Sequence, residues 1–255
     1  MLHFSYNYFG GTIVTIPTGK IKEMYLYSDA LQEEMALLVY FPANYTPLQK
    51  YCFCIVNDGK DYIQMGRLGR VADSLLHEKK IENVIFIGIH YNNVPDRRAK
   101  YHPEGEKNAK YIRFLAHELI PFLDENLPGY CIGHGRALMG DSLAATVGLM
   151  AALNYPHTFG RVIMHSPYVN EKVLELASGF PDPSLLQLYH TVGTEETGVH
   201  TSDGKITNFL EANRELASLL KEKGFPSISE EFEGDHTWKY WQKDLPHALE
   251  MMFGQ

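Results

Sequence analysis

The sequence Arg136-Ala-Leu-Met-Gly-Asp-Ser-Leu-Ala-Ala145 decides how the rest of the chain is interpreted. Its first four residues predict the end of a short buried strand, and the run from Ala145 to Leu153 is small, apolar and helix-forming. Between them, Ser142 has Gly140 two residues before it and Ala144 two residues after it. Small flanking residues indicate a strained turn at which strand and helix approach too closely for larger side chains.

This turn has two interpretations. In α/β-hydrolases the catalytic serine lies on a strand-to-helix turn with the pattern G-x-S-x-G, and here the last glycine is replaced by Ala144, the mildest departure. Alternatively, Gly-Asp-Ser forms an ordinary turn or a helix N-cap, because all three residues favour those positions. The choice depends on whether a base, an acid and an oxyanion loop occur where that fold requires them.

Length and composition favour a single α/β domain over residues 1–255. The chain is 45% hydrophobic and 21% charged, which are ordinary values for a globular protein. Its net charge of −8 disfavours nucleic acid or an anionic membrane as a partner. Neither a signal peptide nor an apolar run long enough to span a membrane is found, so we expect a cytoplasmic location. The cysteines and histidines show no spacing typical of a metal site.

The order of the predicted elements indicates a mostly parallel sheet covered by helices on both faces. Three segments predict an antiparallel meander at one edge of that sheet: Thr12–Pro17, Ile21–Tyr27 and Met35–Phe41. Later strands are predicted at Tyr51–Val56, Val84–Ile89, Arg136–Met139, Arg161–Met164, Leu185–Val192 and Ser227–Phe232. Helices are predicted at Met65–His77, Asn108–Asn126, Ala145–Leu153, Ile206–Lys223 and Trp238–Phe253. Apolar strands that alternate with helices are typical of this fold class.

Ionisable side chains follow two of the later strands, at the sheet edge where α/β enzymes bind their substrates. Glu195 and Glu196 follow one buried strand, and His236 follows the next. Serine, acid and histidine then occur in the chain order of α/β-hydrolases. His236 would take the proton of Ser142, and a glutamate would fix the tautomer of His236. A loop histidine alone is more often solvated, but three such groups at successive strand ends argue against coincidence.

The loop Asn57-Asp-Gly-Lys-Asp61 lies where an oxyanion hole is expected, after the strand that precedes the first helix. The backbone N–H of Lys60, or failing that of Gly59, would bind a developing oxyanion together with the N–H of Leu143. The alternative is a plain Asp-Gly turn, which is common between any strand and helix.

Six segments spread over nearly the whole chain share the pattern of a known family: Leu38-Val-Tyr-Phe-Pro-Ala-Asn-Tyr45, Asn57-Asp-Gly-Lys-Asp-Tyr62, Arg98-Ala-Lys-Tyr101, Gly140-Asp-Ser-Leu-Ala144, Val192-Gly-Thr-Glu-Glu196 and His236-Thr-Trp-Lys-Tyr-Trp241. The chain resembles the Putative esterase family of enterochelin esterases, esterase D (S-formylglutathione hydrolase) and feruloyl esterases, most closely its small cytosolic bacterial branch. The resemblance implies an α/β-hydrolase fold, hydrolysis of a carboxylic ester and no cofactor. It assigns the acid to Glu196, with Glu195 as the alternative. The departures from the family pattern, at Ala144 and Asp235, remove no catalytic group.

The resemblance also suggests that the polar loop Tyr91–Lys107 borders the active site. Arg98 and Tyr101 would then contact a polar group of the substrate, and Asp141, beside the nucleophile, is the third candidate for substrate binding. The alternative is an arginine-rich loop that is merely solvated.

Four aromatic side chains near strand ends or in the last helix have structural explanations. Trp238 and Trp241 could line an acyl pocket, but their spacing favours packing of the final helix onto the core. His90 and His165 are interpreted as structural.

We therefore expect a serine esterase that acts on a small-molecule ester through an acyl-enzyme. An acyltransferase or thioesterase with the same triad, and a non-catalytic member that binds a small ligand, are the alternatives. The sequence leaves open the natural substrate, for which siderophore lactones and short-acyl esters are candidates, and whether the chain forms a homo-oligomer.

Overall fold

The computed structural model describes residues 4–9 and 12–255, with side chains described from Ile16 onward. The strands are β1 Phe4–Phe9, β2 Thr12–Pro17, β3 Lys20–Ser28, β4 Glu33–Phe41, β5 Cys52–Val56, β6 Val84–Ile89, β7 Arg136–Asp141, β8 Arg161–His165, β9 Gln187–Gly193, β10 Val199–His200, β11 Ile206–Thr207 and β12 Ser227–Phe232. The helices are α1 Gly59–Gln64, α2 Leu68–His77, α3 Val94–Tyr101, α4 Asn108–Phe114, α5 Ile120–Asn126, α6 Leu143–Asn154, α7 Glu171–Ser178, α8 Phe209–Lys223 and α9 Trp238–Phe253. A π-helical turn, Leu115–Leu119, joins α4 to α5.

The central sheet has the strand order β12-β9-β8-β7-β5-β6-β4-β3. The six strands from β12 to β6 are parallel, and β4 and β3 complete one edge in antiparallel orientation. Because successive side chains of a strand point to opposite faces, β5 sends Phe53 and Ile55 to one side and Cys52, Cys54 and Val56 to the other. The mostly parallel sheet predicted from the sequence is therefore confirmed.

The two faces of the sheet are covered by different helices. Residues of α4 to α8 pack on the face that carries Phe53 and Ile55, and residues of α1, α2 and α9 pack on the other. All of β5 and β6 is buried, which explains their unbroken apolar or small-residue sequences. Among the described residues, none of the helices is both long and apolar enough to cross a lipid bilayer.

The N-terminal meander was predicted wrongly in one respect. Only β3 and β4 form the antiparallel edge, whereas β2 pairs with β1 in a separate two-stranded sheet. Between β2 and β3, the backbone N–H of Gly19 donates to the carboxylate of Asp73 in α2, at 2.7 Å. This contact holds the chain against α2 where it enters β3, so β2 does not extend the meander.

The polar segment Tyr91–Lys107 is not a continuous loop, because it contains α3. The side chain of Asn93 caps this helix by accepting a hydrogen bond from the backbone N–H of Asp96 at 2.9 Å, and a proline lies in its first turn. Lys100 is buried and pairs with Glu33 and Asp96. Ion pairs rather than an apolar stripe hold α3, which is why its hydrophobic pattern does not indicate a helix.

Several predicted boundaries also differ from the structure. The helix predicted from Met65 begins at Leu68, because Arg67 adopts a left-handed conformation (φ 53°) that separates α2 from α1. The helix predicted from Ile206 begins at Phe209, where Asn208 caps it. Ile206 and Thr207, which precede this cap, form β11 and pair with β10. Helix α7, which starts after the cap Asn170, was not predicted.

Candidate active site

Ser142 lies on a sharp turn between β7 and α6. Its backbone is in the strained positive-φ region (φ 52°, ψ −126°), and its N–H donates to the carbonyl of His165 at 2.9 Å. A Cβ atom on Gly140 would lie 2.4 Å from the carbonyl carbon of Ala144, so only glycine fits at that flank. The structure thus has the close strand-to-helix approach that the sequence predicts, with alanine tolerated on the helix side.

His236 is paired with Glu196. The ring Nδ1 of His236 lies 2.7 Å from Oε2 of Glu196, whose side chain is completely buried. The other oxygen, Oε1, accepts hydrogen bonds from the hydroxyl of Ser166 at 2.6 Å and from the N–H of Gly193 at 2.8 Å. Glu195 is exposed. Of the two candidate acids, the structure brings Glu196 against the histidine.

Ser142 and His236 line the same cavity, which has a volume of about 260 Å³. Aromatic rings enclose the histidine: Phe209 lies 4.4 Å and Trp241 4.9 Å from it, measured between ring centroids. Among the side chains described from Ile16 onward, no hydrogen bond joins Ser142 Oγ to His236. Such contacts are often long in unliganded enzymes and tighten when substrate binds.

The two tryptophans have different positions. Trp241 lines the cavity, whereas Trp238 packs edge-on against Trp241 at 5.6 Å and against Tyr62 at 4.7 Å. His165 is fully buried, with its Nδ1 2.8 Å from the hydroxyl of Tyr62 and its Nε2 3.1 Å from Asp244. It therefore lies in a hydrogen-bonded chain inside the protein and outside the cavity wall.

The predicted oxyanion donors lie in the first turns of two helices that follow the adjacent parallel strands β5 and β7. Leu143 begins α6 and lines the cavity, while Gly59 and Lys60 begin α1 and are not part of the cavity wall. First-turn N–H groups have no acceptor within their own helix and are available to a ligand. The glycine has a separate packing explanation, because a Cβ atom on Gly59 would lie 2.2 Å from Cα of Gly88.

Arg97, which the sequence does not single out, connects the two loops that carry these donors. Its Nε and Nη2 donate to Oδ2 of Asp58 at 2.8 and 2.5 Å, and Nη2 also lies 3.4 Å from the carbonyl oxygen of Asp141. Burial raises the pKa of Asp58, and the guanidinium of Arg97 opposes that rise. The sequence feature that could have identified Arg97 is its position next to Arg98, which was predicted to bind substrate. The helical geometry of α3 places both arginines in the cavity wall, with Arg97 paired to Asp58 and Arg98 to Asp203.

The three predicted substrate-binding residues have different environments. Arg98 lines the cavity and pairs at 2.9 Å with Asp203, in the β10–β11 hairpin. Asp141 also lines it, and burial raises the pKa of its carboxyl well above the ordinary value. Tyr101 was predicted wrongly. It is 1% exposed and packs on Tyr111 with ring centroids 5.1 Å apart, because α3 turns it into the core.

The described residues hold no group of three or more histidine, cysteine, aspartate or glutamate side chains arranged to hold a metal ion. Beside charged side chains such as Arg98 and Asp141, the cavity wall brings together the hydroxyl of Ser142, the imidazole of His236, which is paired with Glu196, and the start of α6 at Leu143. This set can perform acyl transfer through a serine nucleophile.

Comparisons with known proteins agree with this chemistry. A model of the family described as Putative esterase matches residues 28–252. The uncharacterised Bacillus subtilis protein YjcH is 51% identical over 92% of this chain and 98% of its own length. An acetyl esterase of Caldicellulosiruptor saccharolyticus is 21% identical over 91% of this chain and 97% of its own. The crystal structure of an enterochelin esterase from Shigella flexneri superposes with a TM-score of 0.77 and 19% identity, over 91% of this chain and 57% of that one. The fold is thus that of the α/β-hydrolase esterases.

Proposed function

Because the chain belongs to the Putative esterase family and is a carboxylic ester hydrolase, we propose that Ser142, His236 and Glu196 form its catalytic triad. The observation that carries this proposal is the convergence on one cavity of a serine at positive φ and a histidine paired with a buried glutamate. A binding protein with an inert pocket would have no need to hold a fully buried carboxyl side chain against that histidine.

In the proposed mechanism, Oγ of Ser142 attacks the ester carbonyl carbon while Nε2 of His236 takes the serine proton. Glu196 holds Nδ1–H, so that Nε2 is the unprotonated nitrogen, and it stabilises the imidazolium that forms. The tetrahedral oxyanion is bound by the N–H of Leu143 and by that of Lys60 or Gly59. The intermediate collapses as His236 returns the proton to the leaving alcohol.

The second half of the reaction repeats these roles with water. His236 removes a proton from the water as its oxygen attacks the acyl-enzyme, and the collapse of the second tetrahedral intermediate releases the acid and restores the hydroxyl of Ser142. Transfer of the acyl group to another alcohol or thiol in place of water would make the same site an acyltransferase.

We propose a small ester with a short acyl group as the substrate. The cavity of about 260 Å³ is smaller than the roughly 300–1,000 Å³ typical of pockets for drug-sized ligands. The acetyl esterase relative supports a short acyl chain. The net charge of −8 supports a small-molecule partner over nucleic acid or an anionic membrane.

The triad is tested by Ser142→Ala. We expect hydrolysis of a p-nitrophenyl acetate probe to fall by several orders of magnitude, about 10⁶-fold for a triad serine. Labelling by a fluorophosphonate should be lost, with an unchanged circular dichroism spectrum as the control for folding. Retained hydrolysis by a clean preparation of the variant would refute the mechanism. If an added alcohol or thiol takes the acyl group in place of water, the protein is an acyltransferase.

A further inference from the structure

Ser166, immediately after β8, is a buried serine outside the proposed triad of Ser142, His236 and Glu196. Its backbone has a positive φ of 48°, and its side chain is inaccessible to solvent. Its N–H donates to the carbonyl of Thr191 at 2.7 Å, which continues the pairing of β8 with β9 by one residue. A serine at positive φ is strained relative to glycine, so the position retains a hydroxyl at a conformational cost.

The contacts of this hydroxyl fix its direction. The indole Nε1 of Trp241 lies 3.1 Å from Ser166 Oγ, and Oε1 of Glu196 lies 2.6 Å from it. An indole N–H is only a donor, and an ionised carboxylate is only an acceptor. The hydroxyl must therefore accept from Trp241 and donate to Glu196.

The result is a directed chain that ends at the histidine. Trp241 donates to Ser166, Ser166 donates to Oε1 of Glu196, and Oε2 of Glu196 faces Nδ1 of His236 at 2.7 Å. The indole ring of Trp241 also packs edge-on against His236, with an interplanar angle of 86°. One tryptophan thus contacts the histidine ring directly and reaches its carboxylate partner through the serine.

We propose that Ser166 is a positioning residue for catalysis: by occupying Oε1 of Glu196, its hydroxyl directs Oε2 at His236. This inference rests on the proposed triad. Ser166 is not itself part of the cavity wall, and its hydroxyl contacts Glu196 and the indole of Trp241, so a double-mutant cycle with Glu196 is needed to separate these two routes. The N–H of Gly193 also donates to Oε1, at 2.8 Å, so loss of the Ser166 hydroxyl leaves that oxygen with one donor in place of two.

Two substitutions at Ser166 separate the hydroxyl from the backbone. Ser166→Ala and Ser166→Gly both remove the hydroxyl, but glycine accepts the positive φ and relieves the strain. Loss of a hydrogen bond to a charged group should lower kcat by about ten- to a hundredfold in both variants, with little change in KM. The matched control is Ser28→Ala. Ser28 is another fully buried serine whose hydroxyl donates to a glutamate, Glu118, at 2.5 Å, and this substitution should leave kcat unchanged.

A double-mutant cycle shows whether Ser166 acts through Glu196. In a Glu196→Ala background neither a carboxylate nor an amide remains for Ser166 to direct, so adding Ser166→Ala should lower kcat by no more than about twofold. Wild-type kcat in Ser166→Gly, or the full fold-loss persisting in the Glu196→Ala background, would overturn the inference. Failure of the proposed function gives a different result. In that case Ser142→Ala would keep its activity, whatever residue occupies position 166.

Discussion

Glu196→Gln tests the structure most sharply, because the surrounding donors dictate how the new amide must lie. Oε1 of Glu196 receives hydrogen bonds from Ser166 and from the N–H of Gly193. A glutamine would place its carbonyl oxygen there, since an NH₂ group cannot accept from two donors. The NH₂ would then face Nδ1 of His236, where Oε2 now lies 2.7 Å away.

An NH₂ donor at that place requires Nδ1 of His236 to accept, which moves the ring proton to Nε2. The nitrogen that should remove the proton from Ser142 is then already protonated. The corresponding change in a serine protease triad lowers kcat by about 10⁴-fold, which is about 5.5 kcal/mol of activation free energy. We expect a loss of this size, with KM little changed because Glu196 lies outside the cavity wall.

The assay is the steady-state hydrolysis of p-nitrophenyl acetate, normalised to folded protein by circular dichroism. Glu195→Gln is the matched control, since that side chain is exposed one residue earlier and should keep wild-type kcat within about twofold, as expected of a surface substitution. A greater loss in Glu195→Gln than in Glu196→Gln, or wild-type activity in Glu196→Gln, would refute the reasoning.

Two further predictions concern stability. Arg97→Met leaves the carboxylate of Asp58, whose side chain is 2% exposed, without its cation, so urea denaturation should show a loss of about 3 kcal/mol. Adding Asp58→Asn should recover part of it, and an unchanged midpoint in Arg97→Met would contradict the pairing. Burial lowers the pKa of His190, partly offset by its hydrogen bond to Asn213. In the unfolded chain a histidine has an ordinary pKa of about 6.5, so below that pH the unfolded chain binds a proton that folded His190 resists. The contribution of His190 to stability is therefore full above about pH 6.5 and is lost as the pH falls. Between about pH 7.5 and 5, the guanidinium midpoint of unfolding should decline less in His190→Gln than in the wild type. Equal declines in the two proteins would exclude His190 as a cause of the pH dependence of stability.

Local sequence was sufficient for the strands of the central sheet and for the turn at Ser142. The unbroken apolar segments of β5 and β6 can only be satisfied between two covered faces, and the small residues around Ser142 reflect a steric limit within one short segment. Both features depend on neighbours close in the chain, so a pattern of residues is enough to predict them.

Local sequence was insufficient for α3. Its stability comes from the N-cap at Asn93 and from the pairing of Lys100 with Glu33, which is 67 residues away. The sequence pattern therefore indicates a loop, from which Arg98 and Tyr101 are both predicted to contact the substrate. In the structure Tyr101 lies in the core, and Arg97 connects the two loops that precede α1 and α6.

The sequence by itself determined the chain order of the eight strands of the central sheet, the small-residue turn at Ser142 and the chain order of Ser142, Glu196 and His236, because each is set by residue types and spacing along the chain. Only the tertiary structure decided that Glu196 rather than Glu195 contacts His236, and that Ser166 and Trp241 stand behind that contact. These groups come from the ends of β8, β9 and β12 and from α9. They meet because the three strands lie side by side in the sheet, and spacing along the chain does not encode that lateral order.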